Sequence, residues 1–452
     1  MVSINIQSSI DNLQFRLVRV GGWLMRQTEN IAKPSGYRWV VFGLLAFGYL
    51  LVYFHRLCPA VVALDMQADL KTSGALLGFL AAAYFYPYAL MQLPSGLLSD
   101  SWGPRKTITV FFALAGAASI LLGMVGSLGM AILARILVGL GVAMLFVPTM
   151  KVMTHWFKAD EFARMTGILM AVGGLGAYTA SRPLAWLSDI LGWRGSFVAI
   201  GVVTLIVAAA IWFLVRNTPQ DKGLPAVNRP AENSPGRTGT IGLAQGVKTV
   251  LASGSFWILS SWFFFSFCIF FSFGGLWGGP YLMHVYGLSK AEAGNILGML
   301  ALAMIVGSPF MSWLSDKVFQ SRKKVIILAS LITLCLTIPL AFFPDAMNRP
   351  ALYLLCFLLG LFNSAIVVVA FTSAKELFPV EIAGTSVGLA NFFPFLGGAV
   401  APPILGAVLE AQVKSAVGYS ADAYSKAFLL YFIFALLALG ASCFITETLE
   451  KN

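Results

Sequence analysis

Three arginines stand inside long apolar runs of this chain: Arg56, Arg135 and Arg182. No Asp or Glu lies equally deep in any such run. A guanidinium keeps its charge at every physiological pH, so each must meet an acceptor, an aromatic face or water. Arg56 completes a helical stripe with Tyr49 and Tyr53, at i, i+4 and i+7. The stripe offers two hydroxyls and a planar cation, a set suited to a carboxylate. The alternative is that Arg56 snorkels to the nearby end of its run. Arg182 follows Tyr178 by four residues and precedes Pro183. It offers either a second positive group for an anion or a structural hydrogen bond to the carbonyls of a neighbouring helix. Arg135 precedes Gly139 and Gly141, small residues that permit close helix approach, and is expected to brace helices.

Other polar groups recur at helical spacing. Tyr84, Tyr88 and Gln92 fall at i, i+4 and i+8, either lining a cavity or making ordinary helix contacts. Trp277, Asn363 and Asn391, from the second half of the chain, are expected to face the same cavity. Gly274, Gly275, Gly278 and Gly279 flank Trp277 and would let its helix bend as a gate. His55, beside Arg56, is of a type that titrates near neutral pH, although a single histidine is more often a hydrogen-bonded bystander. No Ser/His/Asp set, acid pair or metal cluster shares one depth, so an enzyme is not expected, and neither a cofactor nor a metal. The five cysteines fall in apolar runs without CxxC spacing and read as buried helix residues.

The elements that carry these groups follow from composition. The 452 residues are 58% hydrophobic and only 11% charged, against about a quarter charged in soluble domains. About twenty apolar residues cross a bilayer as a helix. Apolar segments fall at 39–62, 74–98, 106–128, 129–150, 165–191, 195–215, 255–283, 293–314, 325–343, 351–373, 384–409 and 427–445, numbered here as spans one to twelve. The chain reads as an all-α membrane protein with twelve transmembrane helices in two pseudo-symmetric bundles of six. The bundles are 39–215 and 253–446, joined by a polar linker at 216–252 and followed by a tail at 447–452.

The segment 1–38 does not read as a cleavable signal peptide. Ile10, Leu13, Leu17, Val20 and Leu24 sit at helical spacing among Arg16, Arg19 and Arg26, so it is either an interfacial amphipathic helix or a disordered tail.

Charge placement gives orientation. With both termini cytoplasmic, 21 Lys and Arg lie on the cytoplasmic side, six outside and three within spans. That bias predicts cytoplasmic termini, in a bacterial inner membrane. The net charge of +11 is therefore a topological signal, and nucleic acid is not expected as a partner.

The halves repeat. GLLSDSWGPRK, from Gly96 to Lys106, follows span two, and SWLSDKVFQSRKK, from Ser312 to Lys324, follows span eight. Asp100 and Asp316 are thereby 216 positions apart. Arg182-Pro183 and Pro402-Pro403 repeat at 220. Asp100 with Arg105 and Lys106 is either a gating cluster or a solvated turn with positive anchors. Lys151 and Lys375 end spans four and ten at equivalent places and read as surface anchors.

These residues resemble the major facilitator superfamily along nearly the whole chain. Gly96, Asp100, Gly103, Arg105 and Lys106 match its signature between spans two and three, with Ser101 and Pro104 departing from it. RILVGLG, with Arg135, Gly139 and Gly141, resembles its fourth-span signature, and GWRGSF with Trp193 and Arg194 the loop before span six. The first span is similar to that of the anion–cation symporters and organophosphate permeases, where an arginine at the place of Arg56 contacts the substrate anion. The organophosphate permeases carry a second arginine in span seven, near where this chain has Phe271.

The resemblance implies alternating access between two halves. The gating set would be Gly96, Asp100, Gly103, Arg105, Lys106, Arg135 and Asp316. The substrate would meet Arg56, Tyr53, Tyr49, Tyr84, Tyr88, Gln92, Tyr178, Arg182, Trp277, Asn363 and Asn391. The expected cargo is a small organic anion, a carboxylate or sugar acid, or else a zwitterion, moved by a monomer in the lipid bilayer with protons as the coupling ion, or else by exchange or uniport. Competing expectations are an importer of amino acids, peptides or nucleosides, and a non-transporting nutrient receptor on the same fold.

Overall fold

The structure is a computed structural model that describes residues 36–227, 243–364, 366–379, 382–412, 414–415 and 418–449. The amphipathic stripe of Ile10 to Leu24 lies outside the described residues.

The protein is a helical bundle, because its apolar runs are long enough to satisfy every backbone group within a helix. Among the described residues, ten helices are long and apolar enough to cross a membrane, or eleven with a bent pair, Gly74–Leu90 and Pro94–Ser101, which forms span two with a 56° bend. The twelfth place in the expected order is filled by Ala159–Thr179. Its first turn carries Asp160 and Glu161, which suit a helix N-terminus. Span one is Tyr37–Leu57, extended beyond Cys58 by Pro59–Asp69. Spans five and six are not separated cleanly. A break at Ala180–Ser181 is followed by Arg182–Leu214, which kinks at Gly192.

Within the first half, spans three and six pack together, as do spans one and five; in the second, span nine packs on twelve and seven on eleven. Two seams join the halves: span two against span eleven, and span five against span eight. Both described chain ends and the loops after spans two, four, six, eight and ten lie at one end of the bundle, here called the terminal end. At the opposite end a two-stranded ribbon, Lys414–Ser415 with Gly418–Tyr419, links spans eleven and twelve.

The opposite end is shut. Gly279 of span seven packs so closely on Ala60 that a Cβ at residue 279 would overlap the Ala60 carbonyl oxygen. Glycine is therefore required there by contact rather than by backbone angle. Among the described residues, every ion pair between the halves also lies at this end, where Lys290 meets Asp65 at 2.5 Å and Asp189 at 3.7 Å.

Candidate functional site

Arg56 sits between the two halves and is 4% exposed. Its guanidinium carbon lies 4.5 Å from the Tyr53 ring centroid, 4.8 Å from Tyr88, 4.9 Å from Phe395 and 5.9 Å from Phe271. Spans one and two supply the tyrosines, and spans seven and eleven the phenylalanines. Aromatic faces attract a cation through their quadrupoles. They do not neutralise it, and no carboxylate pairs with Arg56 among the described residues. Its Nε, buried, has no hydrogen-bond partner among the described residues. The cage therefore keeps a desolvated positive charge available to an anion.

The cage is held from behind. Tyr49 stands in edge contact with Tyr53 at 5.3 Å and stacks on Phe146 at 5.4 Å. Tyr84 stacks on Tyr88 at 5.6 Å and donates to the Val52 carbonyl at 3.5 Å. Arg135 covers the other part of this stack, 5.1 Å from the Tyr84 ring, and donates to the His55 carbonyl at 2.9 Å. Span four thereby holds the backbone one residue before Arg56. The close approach that permits this is at Gly139, packed on the Tyr84 carbonyl. The His55 ring is tied to Thr204 of span six, Nε2 to Oγ1, at 3.2 Å.

One turn along the seam from the contact of Tyr88 and Phe395, Asn391 donates to Gln92 at 2.7 Å. Gln92 also donates to the Tyr88 carbonyl at 3.0 Å. This polar bridge lies on the terminal-end side of the cage, because span two runs toward that end and span eleven away from it. Tyr178 lies on the other seam, its ring against Gly298 of span eight. Asn363 is 2% exposed, and neither its amide oxygen nor its nitrogen has a partner among the described residues. It sits in a π-helical turn, Gly360–Ser364, where the widened backbone interrupts span ten.

Several expectations need correction. Arg182 is exposed, at the break in span five, and does not join the cage. Trp277 is fully buried and donates to the Pro402 carbonyl at 3.0 Å, tying span seven to span eleven instead of facing a cavity. Its glycines nevertheless surround a π-helical turn, Phe273–Trp277. Lys151, expected as a surface anchor, has specific partners in addition: it pairs with the exposed Asp100 at 2.6 Å and donates to the Ser99 carbonyl at 3.2 Å.

The partners expected for Asp100, Arg105 and Lys106, are engaged elsewhere or exposed. Arg105 lies over Trp212 and donates to its carbonyl, while Lys106 is exposed. Gly103 has φ +84°, which glycine adopts without strain, and turns the chain so that the Arg105 amide meets Asn217. A Cβ added at Gly96 would meet open space. Asp316 pairs with Arg322, which also reaches Glu376 at 3.3 Å. Among the cysteines, Cys335 and Cys443 are exposed on the bundle surface and only the other three are buried.

A cation caged between two repeated halves, a signature loop after span two and a shut end opposite the termini agree with one family. Its profile, that of the Major Facilitator Superfamily, matches residues 45–402. The chain belongs to the Major Facilitator Superfamily. This major facilitator is similar to a probable sulfoacetate transporter of Cupriavidus necator, 24% identical over 82% of this chain and 87% of the relative. It is also 24% identical to a D-galactonate transporter of Escherichia coli, over 92% of this chain and 96% of the relative. A hexuronate transporter of Bacillus subtilis is 25% identical, covering 81% and 79%. Among solved structures, a bacterial homologue of the human lysosomal transporter Spinster, inward-facing and unoccupied, superposes with a TM-score of 0.73 at 17% identity. It covers 91% of this chain and 97% of its own. This major facilitator is thus a multi-pass membrane transporter and not an enzyme.

Phe395 and Lys290 are functional candidates that sequence reasoning missed. Phe395 carried a signal, since it follows Asn391 by four residues on the same helix face.

Proposed function

We propose that this protein carries a small organic anion, a carboxylate such as a sugar acid, through a bacterial inner membrane by alternating access. The observation that supports this most strongly is the buried Arg56 guanidinium, set between the halves with aromatic faces around it and no carboxylate beside it. An anion supplies the missing charge, and binding it draws on groups from both halves. Tyr53, Tyr88, Gln92 and Asn391 are the neighbours that orient the rest of the molecule, with Tyr49 and Tyr84 behind them and Asn363 as a further unpaired amide in the second half. Hydroxyl groups of a sugar acid match the amides of Gln92 and Asn391, which both donate and accept.

A single arginine in the cage favours a singly charged group over a phosphate ester. The place of a second cation is taken by Phe271, 5.9 Å from Arg56. The substrates named for the three relatives described above, sulfoacetate, galactonate and hexuronate, support an organic acid.

With the termini in the cytoplasm, as the Lys and Arg bias predicts, the shut end faces outward, and the bond of Asn391 with Gln92 covers the cage on its inner side. The working unit is a monomer, and protons are the coupling ion. The test is counterflow in proteoliposomes, comparing galactonate, hexuronates and sulfoacetate with amino acids and nucleosides. Exchange of amino acids or nucleosides but of no organic acid would overturn the reading. An imposed pH gradient that fails to drive accumulation would remove the proton from it.

A further inference from the structure

Among the contacts between the halves at the shut end, a polar one on each seam is nearly related to the other by the internal repeat. On one seam, Glu410 at the end of span eleven accepts from the backbone amide of Gly74 at 2.7 Å and from the Tyr419 hydroxyl at 2.9 Å. Gly74 is the first residue of the helix that begins span two. On the other seam, Asp189, at the end of span five, faces Lys290 at 3.7 Å. Lys290 is the first residue of the helix that forms span eight. It also binds Asp65 at 2.5 Å and the Ser188 hydroxyl at 3.3 Å.

Gly74 and Lys290 are 216 positions apart, the same offset as Asp100 and Asp316. Asp189 and Glu410 are 221 apart, close to the 220 that separates Arg182 from Pro402. Acids one position apart in the register of the repeat therefore stand against the first residue of equivalent helices in the opposite half, Glu410 at the Gly74 amide and Asp189 at the Lys290 ammonium group. A helix start carries unpaired amides and partial positive charge, so an acid is favoured at both places. One half meets its acid with the bare amide of a glycine, the other with an added ammonium group.

We infer that Glu410 with Gly74, and Asp189 and Asp65 with Lys290, are paired latches that hold this end shut and set how readily it opens. The inference rests on the alternating-access reading for its role in transport, but not for its role in the conformation. Both latches are partly exposed: the Lys290 side chain is 21% accessible and that of Asp65 35%. Such bonds are weak enough to break in every cycle, whereas a fully buried ion pair would lock the end. Water entering as the halves part would solvate Glu410, Asp189 and Lys290, so opening leaves no buried charge stranded.

The experiment is a distance measurement by double electron–electron resonance, without substrate. Cys335 and Cys443, the exposed native thiols, are replaced by serine, and spin labels are placed through Gly126→Cys and Ala346→Cys. These positions lie at the shut end, one in each half, and are exposed. The unlatched variants are Glu410→Ala and Lys290→Ala, singly and together. Asp422→Asn is the control, since its pair with Lys426 is exposed at the same end but lies within one half.

The otherwise native protein is expected to show mainly the short distance. Each single variant is expected to raise the long-distance population about threefold, and the double variant further. Unchanged distances in the double variant, or an equal shift in the Asp422→Asn control, would overturn the latches. Because no substrate is present, a failure of counterflow would sink the transport reading and leave this measurement standing.

Discussion

Asn391 donates to Gln92 across 2.7 Å, joining spans eleven and two one turn from the rings of Phe395 and Tyr88 that cover Arg56. The bond is the polar floor of the cage on the terminal side, and both of its residues come from opposite halves. Removing one partner leaves the other amide in a site that is largely shut from water. Gln92→Leu or Asn391→Leu should each lower stability by about 1–3 kcal/mol. The double variant should cost clearly less than the sum, with a coupling of at least about 0.5 kcal/mol by thermal unfolding in detergent. Additive losses would mean that the two amides do not act together.

Gly279→Ala tests whether the opposite end must shut in each cycle. The added methyl would overlap the Ala60 carbonyl oxygen. The overlap disappears when the halves part, so the protein should fold with that end ajar. Counterflow should fall roughly tenfold or more, equivalent to about 1.4 kcal/mol on the limiting step, while size-exclusion behaviour is retained. Full activity would show that residues 60 and 279 need not touch.

Arg135 acts on Arg56 only through its neighbours, by holding the His55 carbonyl and covering the Tyr84 ring. Arg135→Ala should lower stability by about 1.5–3 kcal/mol, the range for a hydrogen bond from a charged donor. Arg135→Lys should recover part of the loss, since an ammonium group can still donate to that carbonyl. Equal loss in both variants would make the planar guanidinium stack, rather than the donated bond, the main contribution.

The pair of Lys151 and Asp100 makes the opposite prediction. It lies within one half, with the Asp100 side chain 69% exposed. Such pairs contribute about 0–1 kcal/mol. Lys151→Ala should barely move the unfolding temperature but should slow turnover if the loop after span two takes part in gating. About 0.5 M salt should narrow the difference from the wild-type protein through screening. A large drop in unfolding temperature with unchanged turnover would make the pair structural.

Much of the fold is legible in the sequence because its causes are local. A run of twenty apolar residues must be a helix in lipid, and repeated loop motifs disclose the two halves. Arg56, Tyr53 and Tyr88 are legible for the same reason: a helical stripe of polar groups in an apolar run has to face something. What local pattern cannot give is the direction each face takes once helices pack. Arg182 and Arg56 look equivalent by depth, yet a break at Ala180–Ser181 leaves one exposed while the other is caged. Trp277 looks like a cavity residue, but its indole donates to the carbonyl of Pro402 on the neighbouring span. Lys151 and Asp100 meet only because spans two and four lie side by side. The bond between residues 92 and 391 spans most of the chain and depends on how the two halves dock.

The central claim is that the caged Arg56 charge binds the anion, and counterflow of a labelled sugar acid in proteoliposomes tests it most directly. Wild-type protein, Arg56→Lys and Arg56→Ala would be compared after each is shown to be folded and inserted to the same extent. Arg56→Lys, which keeps the charge but loses the planar fork, should raise the apparent KM about tenfold, a shift of about 1.4 kcal/mol. Arg56→Ala should abolish exchange. Undiminished exchange by Arg56→Ala would contradict the account.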